Sequence, residues 1–309
     1  MTFLLAHLSD PHIGPLPRLP IWALAGKRLT GTLNWHRARA NIHNMPVLDA
    51  VVADIRAEAP DHIALTGDLV NVGYPPEFPL AAQRLLPLGS PDDVSIVPGN
   101  HDAYVAGSLE GMFRVFAPFM RADDCARHGN GAGSVSKPVF PYLRIRKNIA
   151  LIGVNTGVPT WPFLATGKMG VEQAGRLADI LRETAEKGLF RVVMIHHPPL
   201  RKGAKFGRGL DDSKRFEAIL RERGAELVLH GHNHVFSLNY AAGPMASVPI
   251  LGVGSASAVP GTAHHRAEYN LIRINLADAN PLTIERRRVR PDNFALETIE
   301  RIVIKHTGH

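Results

Sequence analysis

The sequence predicts an α/β layered fold, and three patterns along its 309 residues support that prediction. Short apolar runs recur, and each ends in Gly, Asp, Asn or His, as is typical of a buried strand followed by a turn. Helical stretches lie between these runs, and strands that alternate with helices indicate a layered architecture. After about residue 234 the chain changes to strand-like pieces with no clear helix between them, which predicts a second sheet packed onto the first.

Five apolar runs predict the strands that alternate with helices, at 3–9, 61–69, 93–100, 191–197 and 225–232. Between them we expect helices at about 35–58, 76–86, 108–119, 171–186 and 211–223. Of these, 171–186 has the clearest helical period, with leucine and isoleucine on one side and charges elsewhere. The runs 139–146 and 149–155 predict a hairpin, because only two residues separate them.

We expect a single domain over residues 1–309, because the chain contains no internal repeat and no convincing linker. Its strand-rich C-terminal part, at 240–305, is predicted to complete the second sheet or to support a homodimer. The segment 14–43 is predicted to be a cap-like insertion, since it leaves the first strand close to polar residues described below. The alternative for this segment is a helical hairpin with a purely structural role.

The composition is that of an ordinary globular protein, 45% hydrophobic and 20% charged. The single cysteine, Cys125, excludes an internal disulfide and favours a reducing compartment. The start of the chain has no basic stretch followed by a long apolar segment, and no run approaches the roughly 18 apolar residues of a membrane span. We therefore expect a cytoplasmic protein.

The chain carries 35 Lys and Arg against 28 Asp and Glu, a formal net charge of +7. Such an excess can favour nucleotides, phospholipid headgroups or nucleic acid, or it can be a basic surface without specific meaning. The basic residues are spread along the sequence, and 286–288 is the only tight run. No motif of a nucleic-acid-binding module is present, so we expect no specific nucleic-acid partner.

Polar residues of metal-binding types follow five of the predicted strands. In chain order they are Asp10 and His12, Asp68, the GNHD stretch at 99–102, His196, and His232 with His234. In open α/β sheets, sites form beyond the carboxyl ends of the strands. Residues two apart in extended backbone point to the same side, so each such pair is predicted to face one cavity. One piece alone is typical of a turn or cap, but five in order predict a metal site.

At these residues the sequence resembles a known family. SDPHIG, TGDLV, VPGNHD, IHHPP and HGHNH resemble the five signature blocks of calcineurin-like metallophosphoesterases, and they run from residue 9 to residue 234. TGKMGVEQAGRLADIL, at 166–181, is similar to the segment before the fourth block in bacterial phosphodiesterases of that family. The resemblance implies a four-layer α/β/β/α sandwich, with two mixed β-sheets flanked by helices.

The resemblance also implies a dinuclear metal site. One metal would be held by Asp10, His12 and His234, the other by Asn100, His196 and His232, and Asp68 would bridge them. Imidazoles and hard oxygens suit Mn, Fe or Zn. Two such ions activate a water for attack on a phosphorus and clamp the attacking and leaving oxygens. No role is implied for the remaining histidines considered, His36, His43, His62, His197 and His230.

The resemblance places His101 facing the substrate, where it would donate a proton to the leaving oxygen or stabilise developing charge. Asp102 would orient His101, and a capping role for this carboxylate is the alternative. A glycine-rich basic loop follows the fourth block, and four of its residues are candidates for binding a substrate phosphate. They are Arg201, Lys202, Lys205 and Arg208, whose alternative is to be solvated charges.

The main functional prediction is a metal-dependent phosphodiesterase acting on a small phosphodiester, of the cyclic nucleotide or glycerophosphodiester type. The mixture of tryptophans, leucines and basic residues in 14–43 suits a phosphodiester with a sizeable organic group, and equally suits peripheral contact with lipid headgroups. The alternative enzyme is a pyrophosphohydrolase of a nucleotide-linked lipid precursor. A non-catalytic scaffold is disfavoured, because all seven ligand positions and His101 are filled.

Overall fold

The computed structural model describes residues 2–24, 26–123, 137–260 and 266–305. They form two six-stranded mixed sheets with helices against them, as the four-layer prediction requires. Cys125 lies outside the described residues. None of the helices in the described ranges combines the length and the apolar character that a membrane span requires.

The first sheet contains the first three strands of the chain and its last three. They are β1 (Thr2–Leu8), β2 (His62–Leu65), β3 (Val94–Ile96), β10 (Glu268–Asn275), β11 (Leu282–Val289) and β12 (Leu296–Ile304). Their order across the sheet is β12-β11-β10-β1-β2-β3. β1, β2 and β3 are parallel, whereas β10 is antiparallel to β1 and begins a C-terminal antiparallel half.

The second sheet contains the six strands between them in sequence. They are β4 (Tyr142–Arg146), β5 (Ile149–Gly153), β6 (Phe190–Met194), β7 (Leu227–His230), β8 (Ser237–Ala241) and β9 (Val248–Gly252). Their order is β4-β5-β6-β7-β9-β8. β4 and β5 form the predicted hairpin, and β5, β6, β7 and β9 run parallel.

Seven α-helices connect the strands within the described ranges. They are α1 (Lys27–Asn34), α2 (Ala40–Ile42), α3 (Met45–Glu58), α4 (Glu77–Leu85), α5 (Ser108–Phe116), α6 (Val171–Glu186) and α7 (Ser213–Arg223). Short 3₁₀ turns occur at Ile21–Leu24, Leu86–Leu88 and Ala117–Met120, and a π-helical turn at Trp35–Arg39 joins α1 to α2.

Side-chain alternation along the parallel strands separates the layers. In β6, Val192 and Met194 belong to the core shared with the first sheet, whereas Val193 packs with α6 and α7. β7 repeats the pattern, with Leu227 and Leu229 in the shared core. Because successive side chains of a strand point to opposite faces, both faces of this sheet are buried. α3, α4 and α5 bury their apolar faces in the core of the first sheet.

The prediction for the tail was right for only part of it. β8 and β9 complete the second sheet beside β4–β7, but β10–β12 join β1–β3 in the first sheet, so the prediction that all strands after residue 234 lie in the second sheet was wrong. The hydrophobic pattern of a strand specifies which faces are buried, and it does not specify the neighbour. The predicted helix 35–58 is also divided, because Asn44 caps α3 through a hydrogen bond from the Val47 N–H, 3.2 Å long.

Candidate metal centre

The carboxyl ends of five strands from both sheets meet at one place. Each predicted ligand lies two to four residues beyond the end of its strand, β1, β2, β3, β6 or β7. The backbones of these loops are tied together: the Asp10 N–H donates to the Gly67 carbonyl, and the His12 N–H donates to the Asp68 carbonyl. The loops therefore form one hydrogen-bonded unit, and side chains from distant parts of the chain converge on it.

Five of the seven predicted ligands have a left-handed backbone. They are Asp10, His12, Asp68, His232 and His234, with φ of 53°, 39°, 56°, 70° and 57°. Residues other than glycine adopt this region at a cost, and such strain concentrates at functional sites. The extended backbone that we expected for the Asp10–His12 and His232–His234 pairs is therefore wrong. Each pair converges because the chain turns sharply at both residues.

Glycines allow the ligand-bearing loops to pack closely against one another. A Cβ at Gly231 would collide with Ser9 Oγ and Asp10 Oδ2, and a Cβ at Gly99 would collide with Asp68 Oδ1. The glycine before a ligand in these motifs is thus required by close backbone approach.

The first cluster of donor atoms contains Asp10, His12, Asp68 and His234, which each place a ligand atom within 4.8 Å of the others. His234 Nε2 lies 3.2 Å from both Asp10 Oδ1 and His12 Nε2. Among the described residues, the buried Asp10 Oδ1 finds no hydrogen-bond donor. A buried carboxylate oxygen flanked by two imidazole nitrogens fits a cation, since an unpaired buried acceptor otherwise costs free energy.

The second cluster lies beside the first and shares Asp68 with it. His196 Nε2 is 3.4 Å from Asp68 Oδ2, and the same oxygen is 3.7 Å from His12 Nε2. Asn100 Oδ1 lies 3.2 Å from His196 Nε2 and 2.8 Å from His232 Nδ1. The structure thus brings all seven predicted ligands together, with Asp68 Oδ2 between the two groups.

Backbone carbonyls orient two of the imidazoles. Nδ1 of His12 lies 3.2 Å from the Val70 carbonyl, and Nδ1 of His196 lies 2.6 Å from the Thr66 carbonyl. A proton on each Nδ1 satisfies these contacts and leaves Nε2 as a lone pair facing the cluster. Metal-ligating histidines are commonly fixed in this way.

The charges of the site suit a cation. Burial alone would raise the pKa of Asp68, but the imidazoles of His196 and His101 hold it well below its usual range. Burial, together with neighbouring histidines, lowers the pKa of His12 strongly and that of His232 to about 3. Ionised carboxylates and neutral imidazoles are the forms that bind metal. At His196 the attraction of the Asp68 carboxylate outweighs the effect of burial and raises the pKa of the imidazole to about 9. Negative charge is therefore in excess around this imidazole.

His101 and Asp102 occupy different environments. His101 lines the cavity, with Nδ1 against the Asn71 carbonyl and 3.1 Å from Arg39 Nη1. The carboxylate of Asp102 accepts hydrogen bonds from four backbone N–H groups, those of Asp68, Leu69, Val70 and Gly99. These contacts are of the capping kind, which was the alternative to orienting His101. Asp102 therefore holds two ligand-bearing loops in register.

Sequence reasoning missed His43 and gave His197 no role. The ligand atom of His43 lies within 4.8 Å of those of His12 and His234, and that of His197 lies equally near those of His196 and His232. Their Nδ1 atoms lie 2.8 Å from Ser257 Oγ and 2.7 Å from Thr156 Oγ1, respectively. His43 comes from the 14–43 segment, outside the motif blocks, so no spacing signal could identify it.

The three remaining histidines that the sequence analysis considered are not members of these donor clusters. His62 lies 2.8 Å from Ser95 Oγ, His230 contacts the Gly231 carbonyl, and the ring of His36 packs edge-on against Trp35.

A cavity of about 510 Å³ opens beside the two clusters. Half of its lining residues come from 14–43, including Lys27, Trp35 and Arg39, and the other half include Asn100 and His101. Arg39 stands at the end of the π-helical turn, a rare element that is frequent at functional sites. The sequence singled out 14–43 as a segment but did not identify Arg39 within it.

The basic loop after β6 is only partly in the cavity. Of its four predicted substrate-binding residues, Arg208 lines the cavity wall within the part of the chain that the structure describes. Arg201, Lys202 and Lys205 are exposed and outside that lining. Their role in binding a phosphate stays a prediction.

Comparison with solved structures shows the same fold in distant proteins. A dimetal phosphatase from Danio rerio superposes with a TM-score of 0.64 at 12% identity, over 99% of each chain. A purple acid phosphatase from yellow lupin (Lupinus luteus) seeds gives 0.61 at 12% identity, over 99% of this chain and 54% of that one. No curated protein sequence matches the chain. Residues 3–236 match the family model described as calcineurin-like phosphoesterase, and the chain therefore belongs to that family.

Proposed function

We propose that this protein is a dinuclear metal-dependent phosphodiesterase that hydrolyses small organic phosphodiesters of the cyclic nucleotide or glycerophosphodiester type. Family membership supports a hydrolase of phosphoric esters. The observation that carries the dinuclear proposal is Asp68, whose Oδ2 lies 3.7 Å from His12 Nε2 and 3.4 Å from His196 Nε2. Two adjacent cations need a shared anion between them, and this carboxylate is placed to supply it.

Asp10, His12, Asp68 and His234 would hold one ion, and Asp68 with Asn100, His196 and His232 the other. The ions would supply charge stabilisation and an activated water, and the nitrogen and oxygen donors suit Mn, Fe or Zn. The protein's own residues orient the ester. His101 faces the cavity beside the ligands, and the Arg39 guanidinium stands 3.1 Å from its Nδ1. Arg39 is therefore proposed to bind the phosphoryl oxygens, which a planar guanidinium can contact bidentately.

The shape of the cavity favours a diester over a small monoester. Leu33, Trp35, Phe163 and Leu164 contribute apolar wall beside Arg39, so an organic group on the far side of the phosphate has surface to contact. The same apolar wall supports the second candidate, a pyrophosphohydrolase of a nucleotide-linked lipid precursor. A cytoplasmic location also stays a proposal.

Metal analysis followed by a substrate panel tests the proposal. We expect two transition-metal ions per chain, and turnover of bis(p-nitrophenyl) phosphate well above that of p-nitrophenyl phosphate. Absence of bound metal, with no hydrolysis after Mn is added, would refute the enzyme proposal. Preference for the monoester would refute the diesterase assignment, and preference for a nucleotide-lipid pyrophosphate would favour the second candidate.

A further inference from the structure

Large apolar side chains stand exposed on three segments that each contribute residues to the lining of the cavity. Trp22 is 75% exposed, Trp161 is 81% exposed and Phe163 is 92% exposed, while Phe206 is fully exposed. Single exposed apolar residues are ordinary on protein surfaces, but several large ones on segments that border one opening indicate an interaction site.

Hydrogen bonds join the segments that carry them. Nζ of Lys27, at the start of α1 and shortly after Trp22, donates to Thr160 Oγ1 (2.5 Å) and to the Leu164 carbonyl (3.1 Å). The Ala165 N–H donates to the carbonyl of Gly207 (2.9 Å), which follows Phe206. The three segments 14–43, 156–170 and 198–210, called the mouth segments below, therefore form one continuous rim.

The rim also concentrates the positive charge of the molecule. The mouth segments contain ten of the 35 Lys and Arg residues and none of the 28 Asp and Glu residues. The rest of the chain, with 25 basic against 28 acidic residues, has a formal charge of −3. Asp211 and Asp212 follow the third segment directly and accept hydrogen bonds from Thr166, Met169 and Gly170. Ten cations against these two carboxylates still leave a positive excess around the opening, which favours an anionic partner.

We propose that the rim docks on an anionic lipid bilayer, with its aromatic side chains at the interface and its cations over the headgroups. Tryptophan and phenylalanine beside Lys and Arg are the composition of interfacial membrane contacts. Docking by this face brings the cavity mouth to the membrane, where the lipid-linked substrate of the second candidate function would be found. A second copy of the chain is the poorer occupant, because pairing two such rims would place like charges against each other.

Co-sedimentation with lipid vesicles tests this inference without any catalytic readout. We expect the protein to bind vesicles of equimolar phosphatidylcholine and phosphatidylglycerol, to bind phosphatidylcholine vesicles weakly, and to lose binding as salt is raised. The triple variant Trp22→Ser, Trp161→Ser, Phe206→Ser should lose about tenfold or more in vesicle affinity. None of these three residues lines the cavity, so its turnover of a soluble diester should equal that of the wild type.

The matched control is Tyr240→Ser, Met245→Ser, two exposed residues on and just after β8, outside the mouth segments. It should bind vesicles like the wild type. The inference is overturned if the wild-type protein does not bind anionic vesicles, or if the triple variant binds them as well as the wild type does. A wild-type dimer in solution that the triple variant converts to monomer would assign the rim to a second copy instead. Docking without diester turnover would refute the proposed function alone.

Discussion

One carboxylate oxygen of Asp68 faces both halves of the site, and the other accepts a hydrogen bond from the backbone N–H of His101, 2.7 Å long. Asp68→Asn keeps the shape of the side chain and removes its negative charge. We expect metal content to fall from two ions per chain to one or fewer, and kcat to fall about 100-fold or more. Elemental analysis of the purified variant measures the first effect. Asp49→Asn, which alters only an exposed ion pair with Arg84, is the control and should keep both ions.

Substitution of Asp102 distinguishes its two possible roles, capping the backbone of the ligand-bearing loops and orienting His101. Asp102→Asn points an amide NH₂ at backbone N–H groups that now donate to the carboxylate, so we expect the free energy of unfolding to fall by roughly 2–3 kcal/mol. Denaturant unfolding measures this loss, with the exposed Asp179→Asn as control. If Asp102 instead acts by orienting His101, kcat would fall while stability stayed unchanged.

We expect Lys27 to make substrate binding dependent on pH. Burial lowers the pKa of its ammonium to about 8, and the attraction of Asp68 opposes this only in part. Above that pH the cavity loses a positive charge, so the KM for an anionic diester should rise between about pH 7 and about pH 9. Lys27→Met should have the higher KM throughout, without that rise. A wild-type KM that is flat across this range would exclude a contribution from Lys27.

The residues of the site divide into those that motifs can identify and those that only packing can. Asp10 and its six partners follow strands in recognisable blocks, so their convergence could be expected from the sequence. Arg39 and His43 reach the same place from a segment without a motif. Their positions depend on how α1 and the π-helical turn pack over the opening, which no spacing rule encodes.

At the scale of one element, the π-helical turn Trp35–Arg39 determines where Arg39 points. Arg39→Lys keeps a charge but loses the planar fork, so we expect the KM for a diester to rise about tenfold with a smaller change in kcat. Steady-state kinetics separates the two parameters. Arg84→Lys, on the surface of α4, should behave as wild type. Unchanged kinetics of Arg39→Lys would show that phosphate contact does not require the guanidinium.

The strands show the limits of sequence patterns at this scale. The run 61–69 was expected as a strand, yet β2 ends at Leu65, because the chain then turns through Gly67 and Asp68 in left-handed backbone. The functional loop resembles a strand in composition, since its apolar side chains are buried as well. Both ends of the helix 171–186 agree with the prediction, because an amphipathic period over sixteen positions fits a helix and does not fit a strand or a loop.

For the whole molecule, sheet order predicts cooperative unfolding. β1 pairs with β10 at the centre of the first sheet, and the tail strands are divided between both sheets. The larger core cluster of the described residues lies between the two sheets and draws side chains from Phe3 to Ile304, so calorimetry should give one transition whose calorimetric and van't Hoff enthalpies agree. Two resolved transitions would contradict the single-domain prediction for residues 1–309.

The charge of the molecule shows why some properties appear only in three dimensions. In the sequence the basic residues are spread out, and a net charge of +7 can be explained by a basic surface without specific meaning. Folding brings 14–43, 156–170 and 198–210 to one opening. A sequence scan for basic clusters cannot detect a surface assembled from separate segments, of which 14–43 lies more than a hundred residues before the other two.

The pairing of β1 with β10 has a consequence for synthesis of the protein on the ribosome. The strand that precedes Asp10 and His12 emerges long before one of its two neighbours in the sheet, which spans Glu268–Asn275. Ser255 Oγ also holds the Asp10 carbonyl at 2.7 Å. A nascent chain shorter than about residue 275 therefore has its first ligand loop supported from one side only, and the site is completed late in translation.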